Sequence, residues 1–477
     1  MRDLGSKVAT AVRWFAIIKF ISQAISWVIT FYILTILSKA DYGLFAMTTV
    51  VIAFLSLVSE IGLSAVLLQK KDLSIYHKKQ IFGVIILVGF ALTTIVSSTA
   101  PFVATFYQDE RLTSLIITLG LQFLLTPFYI IPRATLEREL DFKRRSIIEL
   151  ITSAAASFTT LICASYGYGV WALIYGHLAT ICCRLIGYNL VNPFKHLPTF
   201  NFKGVKSMLS FGGYTMGSRW LWFFSSNADI LIAGKLLDIE TIGLFKFAKQ
   251  ISSIPAQKIS PIINQVAFPA FAKIQDSKEL VAAHYLKAIG LLGLISFPIL
   301  WGLASIGNFI PNYLGEHWQG AITTLQILCF ALPFRMINGL TPSITSALGH
   351  PEKDFINQIW LFVGMSSLYF TGCYFGGLFG LALSWALGFP IIIARNLYAT
   401  LPLIGLSLSD VLKKIAIPLI LASVMLLVVF AIQALLNDLD KHLLFAISII
   451  SGIGSYSILT LIFNKEMAKT LIRFVKK

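Results

Sequence analysis

Long apolar runs follow one another from about residue 11 to residue 463, each long enough to cross a lipid bilayer, and this succession limits the fold more than any other feature. A helix needs about 20 predominantly apolar residues to span the hydrocarbon core. Inside hydrocarbon the backbone must satisfy its own hydrogen bonds, which leaves helices and closed barrels. Barrel strands are short and alternate apolar with polar positions, whereas these runs are long and continuous, so they read as helices. Composition agrees: of 477 residues, 57% are hydrophobic and 13% charged, against roughly 25% charged in soluble domains. The expected fold is an all-α integral membrane protein with spans near 11–36, 43–68, 80–107, 113–134, 146–166, 169–192, 208–234, 242–267, 283–308, 319–346, 354–375, 378–401, 412–436 and 441–463.

The N-terminal stretch carries Arg2, Lys7 and Arg13. A long apolar segment with no small-residue cleavage site follows, so it reads as a retained first helix. Cys163, Cys182, Cys183, Cys329 and Cys373 fall in or beside expected spans without metal-ligand spacing. They read as packing residues, and neither a metal nor a cofactor is expected.

The formal net charge of +16 does not point to nucleic acid, because no aromatic–basic stripe or nucleic-acid motif accompanies it. The basic residues alternate in the connections instead. One side holds the N-terminus, Lys70–Lys71, Lys78–Lys79, Arg133, Lys143–Arg144–Arg145, Lys195, Lys206, Lys273, Lys287, Lys353, Lys413–Lys414 and the C-terminus; the other holds only Lys39, Arg111, Lys235 and Lys441. By the positive-inside rule both termini are cytoplasmic, which requires an even number of spans. The outer connections are very short, as at Lys39–Asp41 and Tyr166–Tyr168. The largest inner ones, about 135–146, 193–207 and 268–282, resemble short amphipathic surface segments.

The chain also resembles itself. Gly43-Leu44-Phe45 recurs as Gly243-Leu244-Phe245 at a shift of 200, which also places Lys19 on Arg219, Phe20 on Trp220 and Ser26 on Ser226. Pro127-Phe128 matches Pro333-Phe334 at 206, and Gly169 with Arg184 matches Gly380 with Arg395 at 211. The order implies a six-helix lobe over 1–200, a second over 201–402, and two further helices with a tail over 403–477. Six is even, so the lobes share orientation, and such repeats place a substrate path at their interface.

Ionisable groups in hydrocarbon are costly and usually face a cavity or a partner. The first helix carries Lys19, Gln23, Ser26 and Thr30; the second carries Thr49, Ser56 and Glu60; the seventh carries Arg219, Ser226, Asn227 and Asp229. The eighth has Lys246, Gln250, Ser253, Gln257, Ser260 and Asn264 at steps of three or four, flanked by Lys249 and Lys258. That stripe covers roughly 27 Å at 1.5 Å per residue. Pro255 and Pro261 are expected to bend it, and Arg335 joins from the tenth helix. The expected cavity is thus cationic: Lys19, Arg219, Lys246, Lys249, Lys258 and Arg335, with Gln250, Gln257 and Asn264, against only Glu60 and Asp229. Such a surface suits an anionic guest, and Lys and Arg both bind phosphate. The carboxylates Glu60 and Asp229 are candidates for ion coupling. Other roles stay open: Lys19 can snorkel to the surface, Glu60 can pair with a basic loop, and an internal salt bridge among Lys246, Lys249 and Asp229 is as good a reading as ligand binding.

Several tracts resemble one family. They are Pro261-Ile262-Ile263, Phe268-Pro269-Ala270-Phe271-Ala272-Lys273-Ile274-Gln275-Asp276, Leu136-Glu137-Arg138-Glu139-Leu140-Asp141-Phe142, Tyr42-Gly43-Leu44 and Gln69-Lys70-Lys71-Asp72. The chain resembles bacterial polysaccharide flippases of the colanic-acid-exporter kind, within the multidrug/oligosaccharidyl-lipid/polysaccharide exporter superfamily. The resemblance spans the chain and weakens after residue 400; it brings no short invariant motif to carry over. It implies a V-shaped, two-lobed fold of fourteen helices in the bacterial inner membrane. It implies export of an undecaprenyl-pyrophosphate-linked repeat unit from the cytoplasmic to the periplasmic leaflet, driven by an ion gradient as in an antiporter. Membrane lipids and other polysaccharide assembly proteins would be its partners. A drug or cation extruder of the same superfamily would need more acids in its cavity. A glycosyltransferase or glycan polymerase would need a sizeable outer loop, and a non-enzymatic scramblase would need no coupling.

Overall fold

The computed structural model describes residues 29–59, 74–138, 141–201, 206–274 and 277–463. Among them every regular element is helical and no strand occurs. Residues 29–36 form α1, followed by α2 (Lys39–Ser59), α3 (Ile75–Tyr107), α4 (Arg111–Gly120), α5 (Gln122–Leu125), α6 (Pro127–Arg138), α7 (Phe142–Ser165) and α8 (Val170–Val191). Then come α9 (Lys206–Leu236), α10 (Ile239–Lys273), α11 (Lys278–Ser305), α12 (Ile322–Asn338), α13 (Thr341–Ala347), α14 (Pro351–Thr400), α15 (Leu408–Leu435) and α16 (Lys441–Phe463). Nine described helical stretches are long and apolar enough to cross a membrane, or ten if the bent pair α4–α6 counts as one span. One of them, Glu352–Ile404, is 53 residues long. The chain is a multi-pass membrane protein.

The chain forms two compact units, residues 1–223 and 224–477, with the boundary inside α9. In the first, α7 packs along α8, and α4 packs on α3 and α2. Its interior includes Ile81, Phe82, Ile85, Ile130, Ile131 and Ala134, with a second cluster around Tyr129, Leu136, Ile148, Ile181 and Tyr188. In the second, α12 packs on α10, α11 and α14, and α15 packs on α11 and α16.

The helix starts make the repeat visible. Ser38 precedes α2, and its N–H and Oγ donate to Asp41 Oδ2 at 3.0 and 2.7 Å. Asp238 precedes α10 and accepts from Thr241 N–H and Oγ1 at 2.9 and 2.6 Å. Asp41 N–H donates back to Ser38 Oγ at 3.2 Å, so in both turns a hydroxyl donates to a carboxylate and the third-residue N–H to the preceding side chain, with the residue types exchanged at a shift of 200; these bonds satisfy otherwise orphaned groups at each N-terminus.

Three connections differ from simple spans. The fourth expected span is not one straight helix but bends by 51° at Thr126, ahead of Pro127. Proline has no N–H to continue the ladder, and Thr126 Oγ1 turns back to the carbonyl of Gln122 at 2.7 Å. The tenth resolves into a 3-10 turn over Glu316–Ala321 followed by α12 and α13. Residues 193–201 form no helix; they run as a strap tied down by Thr199 N–H to Lys79 O at 3.0 Å and Gln80 Nε2 to Asn201 O at 2.7 Å.

A second pair of equivalent turns joins the arms of a helical hairpin in each unit. Gly169, between α7 and α8, has φ 55° and ψ −132°. Gly377, which divides α14 into two arms, has φ 54° and ψ −136°. The backbone therefore aligns Gly169 with Gly377 at a shift of 208 rather than with Gly380. Side-chain-bearing residues rarely tolerate this conformation. A Cβ at Gly377 would meet no atom within 4 Å, so the cost of Gly377→Ala is purely conformational. That substitution should destabilise the protein by about 1–3 kcal/mol. Thermal unfolding in detergent should show a lowered midpoint; an unchanged midpoint would contradict the strain at this turn.

Candidate functional site

The second unit concentrates charge where α9, α10, α12 and the second arm of α14 meet. Ser226 and Asp229 stand one turn apart on α9, and Lys246 and Lys249 stand one turn apart on α10, so each pair shares a helix face. Asp229 is buried, with 1% exposure. Lys249 Nζ donates to Asp229 Oδ2 at 2.7 Å, to Oδ1 at 2.9 Å, and to the Ser226 carbonyl at 3.0 Å. Lys246 lies close enough to feel both Lys249 and Asp229. Arg335 reaches Ser226 Oγ with Nη2 at 3.4 Å.

Trp385, on α14, lies against both cations. Its ring sits 5.4 Å from Lys249 Nζ and 5.2 Å from Arg335 Cζ, and Arg335 also covers Phe389 at 5.6 Å. Cation–π attraction of this kind is strongest with tryptophan and when desolvated. The Trp385 indole N–H is buried with no hydrogen-bond partner among the described residues. Three cations thus gather about one carboxylate, and burial makes such an imbalance expensive without a further anion.

The remaining expected site residues fall elsewhere. Gln250 is half-buried on α10, while Gln257 and Lys258 are exposed, about 13 Å further along at 1.5 Å per residue. Lys19 and Glu60 lie outside the described residues. Arg219 is within α9 and Asn264 within α10, and their side chains are outside the description. Sequence reasoning missed Trp385, because an indole in an apolar helix carries no polar signal. It also passed over polar pairs in the first unit, although charge inside a span is their signal. Glu149 accepts from Arg184 Nη2 at 2.9 Å and from Tyr188 Oη at 2.9 Å, and His177 bonds Gln122 at 3.0 Å. That unit also has an open apolar cavity of about 490 Å³, lined by Phe82, Pro127, Phe128, Ile131, Leu185 and Asn189 among others. No grouping of three or more His, Cys, Asp or Glu suited to a metal occurs among the described residues.

The fold is shared with solved structures of membrane proteins. It superposes on the inward-closed lipid II flippase MurJ with a TM-score of 0.77, covering 95% of this chain and 99% of that one at 16% identity. An inward-facing multidrug resistance MATE family transporter of the MOP superfamily matches with a TM-score of 0.63 at 15% identity, over 82% and 96% of the two chains. The sequence makes the assignment narrower. Residues 33–323 match the family described as polysaccharide biosynthesis protein, and this chain belongs to that family. Its relatives include the lipopolysaccharide biosynthesis protein WzxC of Escherichia coli (strain K12), 25% identical over 91% of this chain and 89% of that protein. The teichuronic acid biosynthesis protein TuaB of Bacillus subtilis (strain 168) is 27% identical over 88% of each chain.

Proposed function

We propose that this chain flips an undecaprenyl-pyrophosphate-linked oligosaccharide repeat unit from the cytoplasmic to the periplasmic leaflet, supplying polysaccharide assembly. The observation that carries this reading is the gathering of Lys246, Lys249 and Arg335 about the single carboxylate Asp229. A half-buried cationic set with one acid among the described residues favours an anionic substrate and disfavours cation extrusion. Membership in a polysaccharide biosynthesis family supports the glycan, and the likeness to a lipid II flippase supports a lipid-linked one.

In this reading fourteen helices cross the inner membrane as two six-helix lobes and a C-terminal pair, and the chain works by alternating access. Lys19 and Arg219 together take the diphosphate, and the sugars follow the polar stripe of α10 past Gln250, Gln257, Lys258 and Asn264. Glu60 and Asp229 are the coupling candidates.

Both termini are cytoplasmic in this reading, as the charge alternation requires. In a cysteine-free background, an impermeant thiol reagent on intact cells should label a cysteine placed at Asp109 and spare one placed at Lys71. Labelling at Lys71 would overturn the orientation. The function itself is tested by transbilayer movement of the lipid-linked substrate in vesicles holding the purified chain.

A further inference from the structure

The glycines that align the two hairpins also align a pair of arginine-bearing contacts, and the two contacts differ in charge. At the shift of 208 that places Gly169 on Gly377, Glu149 falls on Asn357. In the first unit Arg184 Nη2 donates to Glu149 Oε2 at 2.9 Å. In the second, Arg395 Nη1 donates to Asn357 Oδ1 at 2.8 Å, from a position one helical turn later than the same shift would give. The link between the hairpin arms is kept, but an amide stands where the first unit has a carboxylate. Glu149 neutralises Arg184; Asn357 holds Arg395 in place and leaves its charge standing.

The arrangement is braced. Asn357 is 4% exposed, and its Nδ2 donates to Thr400 Oγ1 at 3.0 Å, which turns its oxygen toward Arg395. Arg395 Nη1 also donates to Asn396 Oδ1 at 3.1 Å, and the guanidinium lies 4.9 Å from the Trp360 ring centre. Its Nε and Nη2 make no hydrogen bond among the described residues, and no carboxylate there forms an ion pair with it. Asp354, one turn before Asn357, makes no ion pair with Arg395 among the described residues. Large hydrophobic side chains exposed on the same two arms of α14 include Ile356, Ile359, Trp360, Ile391 and Tyr398. Such a face suits acyl chains rather than a water-filled path. Arg395 is five residues from the end of α14 and Asn357 six from its start, each within about 9 Å of a helix terminus. That is headgroup depth, where an arginine beside a tryptophan is at home.

We propose that Arg395, held by Asn357 and stacked on Trp360, binds the phosphate of an anionic glycerophospholipid, with the acyl chains lying along the exposed apolar face of α14. The two unused guanidinium donors supply the paired N–H groups that arginine offers to phosphate. This goes beyond the flippase reading: the site is for a resident lipid and does not depend on which substrate is flipped.

The test is native mass spectrometry of the purified full chain titrated with phosphatidylglycerol or phosphatidylcholine, which reads lipid binding without transport. Wild type should retain phosphatidylglycerol roughly fivefold better, the scale of one interfacial cation on an anionic lipid. Arg395→Gln should lose that preference. So should Asn357→Glu, which supplies the carboxylate found at the equivalent place in the first unit. Lys441→Gln, removing one exposed charge elsewhere, should keep it. The proposal is overturned if wild type shows no preference, if Asn357→Glu keeps it, if Lys441→Gln loses it equally, or if millimolar inorganic phosphate alone displaces the lipid.

Discussion

Asp229→Ala should be among the most damaging single substitutions to stability in the second unit, costing about 3–5 kcal/mol, the range for leaving one partner of a buried ion pair uncompensated. Asp229 is 1% exposed, and both its oxygens accept from Lys249. Removing it leaves Lys249, Lys246 and Arg335 together without an ion-paired carboxylate among the described residues. Adding Lys249→Met should recover most of the loss, since an apolar side chain of similar volume removes the stranded charge and still packs against Phe245 and Trp385. Thermal unfolding of the three variants in detergent decides the matter. An Asp229→Ala protein as stable as wild type, or a double variant as unstable as the single one, would contradict the account of this cluster.

The largest effect on transport is expected from Lys19 and Arg219, which occupy equivalent places at the shift of 200. A charged hydrogen bond to phosphate is worth about 1.5–3 kcal/mol, so losing both should reduce export more than about a hundredfold. The double variant Lys19→Ala, Arg219→Ala should abolish surface display of the glycan in cells, with abundance checked by blot. Arg219→Ala should cost more than Lys19→Ala, because the planar guanidinium can bind a diphosphate with two parallel bonds. Charge reversal at either position should also abolish display while the protein still inserts. Full display by the double variant at normal abundance would remove the diphosphate clamp from the mechanism.

Much of the architecture was legible in the sequence because bilayer length and backbone satisfaction leave so few choices. Each expected span overlaps a described helix, while nine or ten described stretches are long and apolar enough to cross a membrane, and the shift of 200 reappears in the matching first turns at Ser38–Asp41 and Asp238–Thr241. The bend at Thr126 was missed although Pro127 was there to be read, since a proline near a span centre does not say whether the helix kinks or ends. The pairing of Gly169 with Gly380 looked natural by residue type, but backbone torsions select Gly377. For the candidate site, the polar content of α9 and α10 and Arg335 were visible, and an ion pair with Asp229 was one of the readings. Trp385 was not visible, because its part depends on α14 bringing an indole against Lys249 and Arg335, a tertiary fact that no local pattern encodes. The difference between Arg184 and Arg395 was hidden for the same reason: each arginine reads alike until the partner on the opposite arm is known to be Glu149 or Asn357.

The most direct test of the flippase reading is movement of the substrate itself. The purified chain would be placed in vesicles containing an undecaprenyl-pyrophosphate-linked oligosaccharide, with an impermeant glycan-binding or glycan-cleaving reagent outside. With an ion gradient imposed, vesicles holding the wild-type chain should expose the protected inner pool to that reagent far faster than protein-free vesicles. Those holding the Lys19→Ala, Arg219→Ala chain should not. Equal rates with and without the wild-type chain, under every imposed gradient, would contradict the proposal that this protein flips a lipid-linked oligosaccharide.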